Sequence, residues 1–161
     1  MRVCGIRFIS NFCFLKKLSL ETQFLAFDLF YLMLTTKELI NYDLHLKVAV
    51  SIFIAAKYHE KIAFTLEYIW NYPDLQNVHK DKVINLEAQV LQLINFNLNR
   101  PSAFQFIDLL VLRYNIPLEK RELMIQLSLQ AVLDKDIWIK EPSLLAMTSL
   151  SMVMTHAGQK A

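Results

Sequence analysis

Residues 43–60, DLHLKVAVSIFIAAKYHE, decide the fold of this chain. Val48, Ala49, Val50, Ile52, Phe53, Ile54, Ala55 and Ala56 leave no polar face on a helix. A helix that is apolar all round belongs in the middle of a bundle. Asp43 stands where an N-cap is needed, so the pattern predicts a central helix ending near Tyr58. Lys57 is the first charge after the apolar run. A lysine at a helix C-terminus suits the macrodipole, which is one sufficient reason for its presence.

Working outward, helical periodicity runs nearly end to end. It predicts a first helix over 2–17, with Ile6, Ile9, Cys13 and Phe14 apolar, and a second over 22–34. A polar link over 35–43 leads into the central helix. A short helix over 66–70 stops before Pro73, and a fifth spans 79–94. The run Phe96-Asn97-Leu98-Asn99-Arg100-Pro101 then punctuates the chain. Three more helices are expected over 102–114, from Pro117 to about 133, and from 141 to near His156, with 134–140 as a connecting loop. The expected fold is all-α: a five-helix bundle over residues 1–100, then three helices over 101–161. Identity between the halves is too low to call them a repeat.

Composition agrees. The 161 residues contain two glycines and four prolines, too few for the tight turns of a β-sandwich or barrel and for a Gly-rich phosphate loop. Hydrophobic residues make up 55% and charged residues 20%, which excludes intrinsic disorder. The 17 basic and 15 acidic side chains leave +2, no field of the kind that binds phosphate backbones, so no nucleic acid is expected as a partner. Mean hydropathy is +0.30. The longest apolar stretches are broken by Asp28 and Ser51 and fall short of the roughly 20 residues a spanning helix needs. No membrane partner is expected. The N-terminal segment resembles a signal peptide only faintly, because Arg7 and Asn11 interrupt it and no small-residue cleavage site follows. Cys4 and Cys13 cannot form a disulfide framework, which points to a reducing, intracellular compartment.

Catalytic chemistry is not evident. His45, His59, His79 and His156 form no HExxH and no i, i+4 pair, and there is no zinc-spaced Cys/His cluster. Asp134 and Asp136 read as a solvated turn. No nucleophile elbow or Walker motif occurs, and neither cysteine sits where its pKa would fall. No cofactor and no metal are expected. The one charge in an odd place is Glu87, with Val83, Ile84, Val90 and Leu91 at i−4, i−3, i+3 and i+4. A carboxylate in an apolar wall is costly unless paired. Its partner is either internal or supplied by another protein.

The stretches SIFIAAKYHEKIAFTLEYIWN (51–71) and KDKVINLEAQVLQLINFNLNRPSAFQFI (80–107) resemble the cyclin box, most closely that of A- and B-type mitotic cyclins. The shared pattern is an alanine-rich helix ending in Lys-aromatic-x-Glu, here Lys57-Tyr58-His59-Glu60. About thirty residues later comes a helix carrying Glu87 and Leu91, then Ile94-x-Phe96-x-Leu98-x-x-Pro101 and Phe104. The resemblance covers about residues 1–100 and continues more weakly to about His156, into three of the usual five helices of a second box. It implies a regulatory, non-catalytic subunit, found in nucleus and cytoplasm, that forms a heterodimer with a cyclin-dependent Ser/Thr kinase in cell-cycle control. Substrates or inhibitors of that kinase are further implied partners. Lys57 and Glu87 match the family's charged pair at the kinase interface, Tyr58 an aromatic contact, and Leu91, Phe96 and Leu98 the apolar surface beneath the kinase helix.

The resemblance also maps a substrate-docking patch for Arg-x-Leu motifs onto Met1, Cys4, Gly5, Phe8, Asn11 and His45. The departures there are large: Gly5, Arg7 and Phe8 replace an aliphatic, an Asp and a Trp, and Asn11 and His45 replace Glu and Gln. Docking at this patch is not expected. The Asp that would pair with Arg2 is also missing, leaving Arg2 to solvent, another partner or a frayed end. The short second box and the lack of a destruction signal fit either a divergent short cyclin or a fragment. The competing readings are a cyclin-fold adaptor of the transcription-factor-IIB or retinoblastoma-pocket kind, and a helical enzyme without a recognisable site. With the second box half built, Leu144, Leu145, Met147 and Leu150 are expected to lie uncovered and to promote self-association.

Overall fold

The computed structural model describes residues 2–133 and 141–158, and every described element is helical. The chain divides into two compact units between Arg100 and Pro101. In the first unit, α1 spans Arg2–Leu15, α2 Leu20–Thr35, α3 Leu44–His59, α4 Leu66–Trp70 and α5 Lys80–Leu93. A 3-10 turn, Pro73–Leu75, lies between α4 and α5.

The central helix is where the sequence puts it. α3 packs against α1, α2, α4, α5 and the 3-10 turn. Every residue from Leu46 to Ala56 is buried. Around it lie Phe12, Phe24, Phe27, Phe30, Met33 and Ile69, all fully buried, each contributing roughly 1.5–3 kcal/mol of transfer free energy. The run also encloses Lys47, whose stem is apolar and whose Nζ donates to the Ile40 carbonyl at 2.7 Å. Burial pulls the Lys47 pKa down, and the nearby charge of Asp43 opposes this.

Capping fixes where the helices begin. Asp43 accepts from the His45 N–H at 2.9 Å and the Leu46 N–H at 3.4 Å. Helix α2 begins earlier than its hydrophobic pattern implies. Ser19 is the cap, accepting the Thr22 N–H at 3.2 Å, so Thr22 lies inside the first turn. The other end of the same junction is Glu60, the C-cap of α3. Its Oε1 accepts from the Ser19 N–H at 2.8 Å, the Ser19 hydroxyl at 3.0 Å and the Thr22 hydroxyl at 2.5 Å. One carboxylate thereby fastens the end of α3 to the start of α2.

In the second unit, α6 spans Ala103–Tyr114, α7 Leu118–Ala131 and α8 Pro142–Gly158. A capping box of Ser102 and Gln105 opens α6, and Asn115, at φ 47°, closes it. Helix α8 packs on both α6 and α7. Arg121 Nε binds Asp108 Oδ1 at 2.7 Å, and its guanidinium lies 5.3 Å from the Phe104 ring centroid. The expectation of four uncovered apolar side chains on α8 is corrected. Leu144 and Met147 are exposed, but Leu145 is buried and Leu150 half-buried. Met152 and Met154 are exposed as well. The predicted loop 134–140, with Asp134 and Asp136, and the side chain of His156 lie outside the described residues. No helix among the described residues is long and apolar enough to cross a membrane.

Candidate functional site

The α3–α5 edge assembles most of the residues singled out by sequence. Lys57, in the last turn of α3, donates its Nζ to Glu87 Oε1, in the middle of α5. The partner of Glu87 is therefore internal in the free chain. The two heads differ in exposure: the Lys57 side chain is 41% exposed and that of Glu87 only 12%. The apolar wall predicted around Glu87 is real, since Val83 and Val90 are buried and Leu91 half-buried. Ile84 differs, being 45% exposed on the same α5 face as Glu87 and Leu91. Its exposure makes it a surface residue that the spacing argument treated only as a neighbour of Glu87.

Phe96 occupies a costly conformation. After α5 the chain closes in a Schellman turn: the Asn95 N–H donates to the Gln92 carbonyl at 3.0 Å, and the Phe96 N–H to the Leu91 carbonyl at 2.8 Å. Asn95 and Phe96 both take positive φ, 51° and 57°. Asn tolerates this region, whereas a phenylalanine there costs about 1–2 kcal/mol. The ring gains little burial in return, since Phe96 is 68% exposed. The turn thus holds an exposed aromatic ring at a backbone cost. Leu98 is half-buried two residues on. Tyr58 is 48% exposed, and its ring meets His59 edge-on at 4.8 Å. Burial lowers the His59 pKa, against the opposing charges of Glu21 and Glu60.

The region mapped as a docking patch is built differently. Gly5 is buried, and a Cβ there would run into Phe30 Cζ. The ring of Phe30 already fills the space that an aliphatic side chain would take. Phe8 is half-buried, edge-on to Tyr72 at 4.9 Å. Gly5 is thus a packing position in the free chain. Cys4, Asn11 and His45 are exposed, with His45 Nδ1 lying 3.4 Å from Asp43. Met1 lies outside the described residues. Arg2 opens α1 and is half-buried, rather than extended into solvent.

No group of three or more His, Cys, Asp or Glu side chains able to hold a metal occurs among the described residues. Cys13 is buried, and the loss of water together with the charge of Glu60 pushes its pKa up to about 12, so it is an inert thiol. The α3–α5 edge carries a paired charge together with the exposed apolar side chains of Ile84 and Phe96.

The family model of the cyclin N-terminal domain matches residues 1–99. This chain belongs to the cyclin family. The match covers the whole bundle around α3, so the five-helix unit is a cyclin box. Cyclins are regulatory proteins of a non-catalytic fold. A comparison with curated proteins gives no match.

Proposed function

We propose that this cyclin binds and activates a cyclin-dependent Ser/Thr kinase, as a regulatory subunit of the A- or B-type mitotic kind acting in nucleus and cytoplasm. The observation that carries the reading is the α3–α5 edge. There α3 and α5 are joined by the Lys57–Glu87 pair, α5 also carries Leu91, and the turn that ends α5 presents the exposed Phe96 on a left-handed backbone. Lys57 and Glu87 offer donors and an acceptor to a kinase helix, Tyr58 an aromatic contact, and Ile84, Leu91, Phe96 and Leu98 an apolar bed. The three helices after Arg100 stand for part of a second cyclin box. Arg-x-Leu docking is not part of the proposal, because Gly5 and Phe8 are committed to packing. The test is to incubate the purified chain with individual cyclin-dependent kinases, capture it, and follow histone phosphorylation. Stable capture with increased phosphorylation is the expected result. Capture without activation would favour the adaptor reading, and no capture by any kinase would overturn the proposal.

A further inference from the structure

We propose that Phe53 is the positioning residue of this docking edge: its ring carries the Lys57 ammonium and sets the ion pair with Glu87 before any partner arrives. The inference rests on the kinase reading for its functional part, but its structural part stands alone. Phe53 lies one helical turn before Lys57 on α3, so the two side chains share a face. Lys57 Nζ sits 4.2 Å from the centroid of the Phe53 ring while it donates to Glu87. That is well inside the range in which the negative face of an aromatic ring attracts a cation.

The ring is itself held. Phe53 is 8% exposed, and its centroid lies 6.5 Å from that of Phe64. Phe64 stacks on Tyr68 at 5.3 Å and meets Phe12 at 6.4 Å. Phe53 is therefore the outer end of an aromatic chain rooted in the core. An exposed lysine samples many rotamers, and one ion pair to a point acceptor restrains it weakly. A second attraction from a fixed ring face, on the α3 side, confines the head to the gap between α3 and α5. An aliphatic residue at position 53 would fill the same space without attracting the ammonium. The gain is pre-organisation: a partner meets a charge already in place and need not order it.

The experiment uses the whole chain and two readouts. In the free protein, proton–carbon NMR should show the Lys57 ε-methylene protons shifted upfield of those of other lysines by the ring current of Phe53. In Phe53→Leu they should return to the ordinary position while the chain stays folded, with melting lowered as for any large-to-small core substitution. An unshifted Lys57 in the parent overturns the inference without any variant, so a misfolding Phe53→Leu does not protect it. Kinase affinity is then measured for parent, Phe53→Leu, Lys57→Met and the double variant. Phe53→Leu should weaken binding about two- to fivefold. It should add nothing in the Lys57→Met background, because the ring acts through the lysine. Equal affinity of parent and Phe53→Leu, or full additivity in the double variant, overturns the positioning role and leaves the kinase reading intact. A parent that binds no kinase overturns the kinase reading, and the proton shift alone then decides the Phe53–Lys57 stack.

Discussion

Two faces of the same bundle use aromatic residues in opposite ways. On the α1 face, Phe30 folds over Gly5 and Phe8 packs against Tyr72, so the rings close a surface. At the end of α5, Phe96 stands 68% exposed on a left-handed backbone. The first arrangement lowers the energy of the free chain. The second raises it, and under the proposed function a partner covers the ring, although α1 also exposes one ring, Phe14, at 82%. The contrast separates packing from recognition within one fold.

The largest effect should come from breaking the ion pair. Lys57→Ala leaves Glu87, whose side chain is 12% exposed, without its counter-charge. Kinase affinity should fall by about 2–5 kcal/mol, and melting should fall as well. Glu87→Ala should cost a similar amount of affinity with melting closer to the parent, since the Lys57 side chain is 41% exposed and keeps its water. Binding losses that merely track unfolding in both variants would return the pair to internal packing and erase the contrast between the faces.

The α1 face predicts the reverse pattern. Gly5→Leu must displace the Phe30 ring, and such overpacking costs about 1–3 kcal/mol or more of stability. The α3–α5 edge would be untouched, so the affinity of the folded fraction should not change. A neutral Gly5→Leu by denaturant melting would mean that this face is open after all.

Glu60 links the two faces, because it ties the end of α3 to the start of α2. Removing it strands the Ser19 and Thr22 donors, a loss of about 1–3 kcal/mol in Glu60→Ala. Burial alone would raise the Glu60 pKa, but hydrogen bonds from Thr22 and Ser19 outweigh it and hold the carboxyl below its ordinary value. This contribution is therefore present above the ordinary Glu pKa of 4.5 and fades as pH falls through the lower folded value. Denaturant melts at pH 6 and pH 3 should show the gap between parent and Glu60→Ala narrowing in acid. A gap independent of pH would contradict the assignment.

Asp28, half-buried on α2, works in the opposite direction. Burial pushes its pKa from 3.8 up to about 7, against the attraction of Arg100. The folded chain then keeps a proton that the unfolded chain loses, so stability falls as pH rises from about 4 to 7 and stays reduced above that. Asp28→Asn removes this dependence. It should stabilise the chain by about 1–3 kcal/mol at pH 8, and by less at pH 5. A variant less stable than the parent at pH 8 would show that the ionised carboxylate is better served than its surroundings indicate.

How much of this was legible in the sequence follows from how local each feature is. The run Val48–Ala56, apolar except for Ser51, announced the central helix because a helix with no polar face must be covered on every side. Asp43 announced its start because a cap bonds within its own first turn. Leu66–Trp70 was legible from Pro73 behind it, yet the turn Pro73–Leu75 was too short to show a period. Lys47, the residue before that run, was not legible as a buried charge, since its satisfaction depends on the Ile40 carbonyl in the preceding link. Of the candidate site, Lys57, Glu87, Leu91 and Phe96 were singled out through the resemblance to the cyclin box. Phe53, Ile84 and the closure of Gly5 by Phe30 were not, because each depends on which face of a helix meets which neighbour in space.

The central claim is that the α3–α5 edge exists to be covered by a kinase, and Phe96→Gly tests it most directly. Glycine takes φ 57° freely, and a ring that is 68% exposed contributes little burial to the free chain. Melting and kinase affinity are to be measured together, by calorimetry, on parent and variant. The account predicts a variant that melts at or above the parent and binds the kinase at least about tenfold more weakly, the loss of one well-packed aromatic anchor. A variant that binds as tightly as the parent would contradict it.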